Sequence, residues 1–184
     1  MKKLLLSSVV TALLAGPALA EGVPSPEGMV ILTVSGEVAA PNRGPALEDG
    51  RDLMSKLGIT FEKAVEFDEA ALAALDQGEI SRTIYPDVLE GTFTGPTLSA
   101  VLDAAGIAEV SLVSVMTLDG YASEIPADFI TSYEPILATR LDDEPFGIGG
   151  FGPLAMVFPE SEDPAVTEQT KRMLPWATFY LAVE

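Results

Sequence analysis

Thr94-Gly95-Pro96-Thr97-Leu98-Ser99-Ala100-Val101-Leu102-Asp103-Ala104-Ala105-Gly106, followed shortly by Ser111-Leu112-Val113-Ser114-Val115-Met116-Thr117, is the stretch that decides the fold class. In its first half, Leu98, Val101 and Leu102 share one helical face, with Thr94-Gly95-Pro96 as the start signal and Gly106 as the stop. In its second half, β-branched and apolar residues form a strand that turns at Asp119-Gly120 into a return strand carrying Ala122 and Ile125. Several short strands with a few helices outside them predict an α+β domain with a mixed β-sheet core, a wholly antiparallel sheet being the alternative.

The same reading extends in both directions. Upstream, Asp68 caps an alanine- and leucine-rich segment that reads as a helix stopping at Gly78, and Glu79 to Tyr85 reads as a strand. Met29 to Ser35 is a first strand ending at Gly36, residues 41–50 are a surface loop, and helical spacing resumes beyond them. Downstream, Pro135 to Ala138 is apolar, Asp142-Asp143-Glu144-Pro145 is a turn, and Pro153–Phe158 and Thr178–Val183 are strands. The connector Asp163 to Met173 reads as a short helix.

Residues 1–20 have the order of an export signal: Lys2-Lys3, an apolar run from Leu4 to Leu14, then Ala18-Leu19-Ala20 before Glu21. Cleavage after Ala20 is expected, with 21–27 a leader and 28–184 one domain. The run is too short for a membrane-spanning helix, so no membrane insertion is expected. The remaining chain holds eight Lys and Arg against 28 Asp and Glu, a net charge of −20, which argues against nucleic acid and anionic membrane surfaces as partners. Cysteine and histidine are both absent, which removes thiolate nucleophiles, imidazole bases and ordinary zinc or haem sites. Chemistry is left to carboxylates, hydroxyls, Lys, Arg and Tyr.

Gly147-Ile148-Gly149-Gly150-Phe151-Gly152 has the glycine pattern of a dinucleotide loop, but Pro153 leads into a strand where a helix is needed. The acidic runs at 142–144 and 160–163 lack the spacing of a calcium loop and read as solvated turns. Asp119 with Glu124 is a conceivable acid–base pair, although Asp119 beside Gly120 is a turn residue first. Trp176 reads as cover for the core edge. Arg82 and Arg140 are candidate anion ligands, with surface ion pairing as the plainer role.

The order Phe93-Thr94-Gly95-Pro96-Thr97-Leu98, Thr117-Leu118-Asp119-Gly120-Tyr121, Ile125-Pro126, Ile136-Leu137-Ala138 and Gly152-Pro153-Leu154, closed by Trp176, resembles the molybdopterin-binding domain of sulfite-oxidase-type oxidoreductases. The resemblance implies that fold over about residues 28–184. It also implies a molybdenum–pterin cofactor held by a cysteine thiolate on the stretch that here reads Ile80-Ser81-Arg82-Thr83-Ile84. A hydroxyl does not replace that soft ligand near neutral pH. The leader has no arginine pair of the kind that exports cofactor-loaded proteins folded.

The expectation is therefore a periplasmic domain that has lost molybdenum catalysis and binds a small ligand or a periplasmic or membrane protein partner. No cofactor and no metal are expected. Arg82, Asp119, Tyr121 and Phe151 are the residues expected to line the ligand cleft. The alternative is a molybdopterin-binding oxidoreductase without a protein thiolate.

Overall fold

The computed structural model describes residues 22–84 and 89–184. Residues 1–20, the expected cleavage after Ala20 and Tyr85, where the strand from Glu79 was expected to end, lie outside the described residues. In chain order the elements are β1 (Val30–Ser35), α1 (Leu53–Lys56), β2 (Ala64–Asp68), α2 (Glu69–Ala73), β3 (Gln77–Ile84), β4 (Leu89–Pro96) and α3 (Leu98–Ala104). They continue as β5 (Leu112–Thr117), β6 (Ala122–Pro126), α4 (Ala127–Tyr133), β7 (Ile136–Ala138), β8 (Arg140–Leu141), β9 (Glu144–Pro145), β10 (Leu154–Val157), α5 (Pro164–Lys171) and β11 (Trp176–Val183). The class is α+β, and no helix among the described residues is long and apolar enough to cross a membrane.

The larger sheet is mixed. Its hub is β11, which runs parallel to β1 in the register Thr33 to Tyr180 and antiparallel to β5 and β10. Beyond these, β2 flanks β1, β7 flanks β10 and β6 flanks β5. A second, antiparallel sheet has the order β3, β4, β8, β9. β5 alternates strictly, with Val113, Val115 and Thr117 inward, whereas all four residues of β10 are buried, as befits a strand covered on both faces. Leu98, Val101 and Leu102 of α3 complete one continuous core.

The helix after Asp68 is shorter than its composition predicts. The Asp68 side chain does cap it, accepting from the Ala71 amide, but the helix ends at Ala73. Gly78 is not a helix stop. It lies within β3, where a Cβ would meet the Ile136 side chain at 2.6 Å, so its role is close approach between elements. Helical spacing beyond residue 50 amounts to the single turn of α1, and the chain then extends as β2. β4 and α4 are further elements that the local sequence does not announce. Thr94-Gly95-Pro96 closes a strand before it opens a helix, and α4 is rich in weak helix formers such as Phe129, Thr131 and Tyr133.

The leader is tied to the domain. Asn42 donates to the Val23 and Pro24 carbonyls, and the Glu27 and Gly28 amides donate to the Asp68 carboxylate at 3.0 and 2.8 Å.

Candidate functional site

The turn between β5 and β6 is built by side-chain bonds. The Thr117 hydroxyl donates to Asp119 Oδ1 at 2.5 Å and the Tyr121 amide donates to the same oxygen at 3.1 Å, while Gly120 takes a φ of +85°. These two donors hold the Asp119 carboxyl below the usual carboxylate range, so it is ionised at neutral pH. Tyr121, half exposed, reaches away from the turn, and its hydroxyl donates to the Arg172 carbonyl at 3.3 Å.

Arg172 ends α5, and the chain passes through Leu174 and Pro175 into Trp176, the first residue of β11. The strand then kinks at Ala177, whose φ of +55° is an uncommon conformation for a residue with a Cβ. The kink joins three segments: the Ala177 amide donates to the Phe151 carbonyl at 2.9 Å, and the Ala177 carbonyl accepts from the Leu118 amide at 2.9 Å. The Phe151 ring meets Trp176 edge to face, centroids 5.5 Å apart.

Between the turn and the α5–β11 junction lies a cavity of about 290 Å³. It is lined by Thr117, Asp119 and Tyr121 from the turn and by Lys171, Arg172, Leu174, Pro175 and Trp176 from the junction. Of the residues singled out in the sequence, Asp119 and Tyr121 line it, and Phe151 supports it through Trp176. Arg82 lies elsewhere. It is 8% exposed and donates to the Phe158 carbonyl at 2.5 Å, and burial lowers its pKa. Of the two arginines expected to make surface ion pairs, Arg140 does so, meeting Glu69 at 3.1 Å, and Arg82 has no such pair among the described residues. Lys171 and Arg172 were not singled out, although their closeness to Trp176 in sequence was the available signal.

The other motifs have structural employment. The glycine loop closes on itself through an Ile148–Gly152 bridge and enters β10, so no helix N-terminus receives a phosphate there. Asp142 accepts from the Thr92 amide and Asp163 caps α5. Among the described residues no three carboxylates converge to hold a metal ion. Glu124 lies on β6 opposite Ser114, outside the cavity wall.

The stretch Ile80–Ile84 belongs to β3, where the Ser81 and Thr92 hydroxyls are hydrogen-bonded at 2.9 Å. It offers hydroxyl oxygen where molybdenum held by a protein thiolate requires soft sulfur, and the chain has no cysteine to supply it. These residues do not fit that group. No family model matches the chain, and no curated protein matches it at a significant level.

Proposed function

We propose that this chain is an exported periplasmic domain of sulfite-oxidase-like architecture that binds a small ligand without molybdenum catalysis. The observation that carries the reading is the cleft over Trp176, where an ionised carboxylate, an arginine and an aromatic floor face one cavity. Such a set, a few polar groups converging on an apolar surface, is what small-molecule sites share. The lack of cysteine and histidine supports binding over catalysis, since neither a thiolate nor an imidazole is available to a bound molecule.

The order of motifs from Phe93 to Trp176 supports the architecture, and Lys2-Lys3 with the following apolar run supports export. A protein partner would then read the occupied state of the cleft from the periplasm or the membrane.

Native mass spectrometry with molybdenum analysis, on protein released gently from its own periplasm, tests the reading. The expected result is a small, molybdenum-free adduct that disappears in Trp176→Ala. Stoichiometric molybdenum with a pterin overturns it and makes the chain an oxidoreductase.

A further inference from the structure

The residues lining the cleft carry charges of both signs, and neither sign is used up. Asp119 spends Oδ1 on Thr117 and Tyr121, and Oδ2 accepts no hydrogen bond among the described residues. Lys171 is paired with Glu168 at 3.0 Å, but the Arg172 guanidinium has no partner among the described residues. Among the described residues, Arg43, Arg51, Lys63 and Arg140 are each paired with a carboxylate, whereas Arg172, exposed at the end of α5, and Lys56 are not. Tyr121 links the turn to the junction, its amide on Asp119 and its hydroxyl on the Arg172 backbone, so the two are held about one tyrosine length apart.

Resting on the reading of this cleft as a ligand site, we infer that its ligand is a zwitterion of the amino-acid class. Its ammonium group meets Asp119, its carboxylate meets Arg172, and an apolar side chain lies over Leu174, Pro175 and Trp176. Charge selects this class. A free anion is repelled by a chain of formal net charge −18, and a free cation meets Arg172, whereas a zwitterion carries no net charge and answers both groups. Size agrees, because about 290 Å³ lies at the small end of ligand pockets and suits a single amino acid better than a peptide.

Trp176 is the chain's only tryptophan, so its emission reports on this cleft alone. The experiment titrates the purified protein with L-phenylalanine and L-leucine, then with 3-phenylpropanoate, which lacks the ammonium group, and phenethylamine, which lacks the carboxylate. An amino acid should saturate the signal, with each half-molecule at least roughly tenfold weaker, the loss expected for one charged hydrogen bond. Asp119→Asn keeps an acceptor for the Tyr121 amide and should bring phenylalanine down to the level of 3-phenylpropanoate. Arg172→Ala keeps the carbonyl that receives Tyr121 and should bring it down to the level of phenethylamine. A half-molecule that binds as tightly as phenylalanine, or variants without effect, overturns the zwitterion while leaving the cleft a ligand site. No response to any of the four, in protein that also carries no adduct, overturns both.

Discussion

A methyl group at Gly95 would sit 2.1 Å from the Leu137 carbonyl oxygen and 2.7 Å from Ala138 Cα. Both obstacles are backbone atoms of β7, which cannot swing aside as a side chain would. Gly95→Ala is expected to destabilise the fold by about 1–3 kcal/mol or more, read as a lowered urea midpoint. Asp68 works by charge instead. Its carboxylate accepts from the amides of Ala71, Gly28 and Glu27, which together hold its pKa below the usual range. A carboxyl with a depressed folded pKa adds stability that is complete above its unfolded value, near 4, and is lost as pH falls through the folded value. Asp68→Asn should therefore be less stable than the parent at pH 7, and the gap should narrow below about pH 4 in denaturant unfolding. The capping role of Asp68 is legible in the sequence. The reason for Gly95 is not, because the atoms it must avoid lie more than forty positions away.

At the scale of elements, Arg82 ties β3 to the end of β10 through the Phe158 carbonyl. Arg82→Met keeps most of the buried volume but orphans that carbonyl, and a loss of about 1–3 kcal/mol is expected in chemical denaturation, with the Trp176 titration unchanged. A neutral or stabilising result would mean that burying the guanidinium had cost as much as the bond returned. The hairpin of β8 and β9 turns on Asp142 and Asp143, both at positive φ (48° and 67°), the pattern of a two-residue hairpin turn. Its acidic residues mark a turn, as the sequence suggests. β2 and β4 were less legible: Ala64–Asp68 is too short to establish a period, and Phe93-Thr94-Gly95-Pro96 serves one element's end and the next one's start.

For the whole molecule, charge is the dominant non-specific force. The formal net charge of −18 repels itself in the compact state, and exposed pairs such as Lys63–Glu37 and Lys171–Glu168 return little each. Raising sodium chloride from about 10 to about 200 mM shortens the screening length from about 30 Å to below 10 Å and should raise the melting temperature at pH 7. A fall would mean that the ion pairs outweigh the self-repulsion.

Composition, charge and the local signals settle a good deal without coordinates: the α+β class, the β5–β6 hairpin, the α3 face, the Asp68 cap, and the absence of thiolate and imidazole chemistry. Each depends on residue type or on neighbours a few positions apart. The cleft depends on neither. Asp119 and Arg172 face one cavity only because β11 pairs with β5 and kinks at Ala177, drawing the end of α5 against a turn some fifty residues earlier. Arg82, close in kind to Arg172, is turned instead toward a buried carbonyl. Which arginine faces solvent and which faces the core is decided by strand pairing across the whole chain, and no local pattern encodes it.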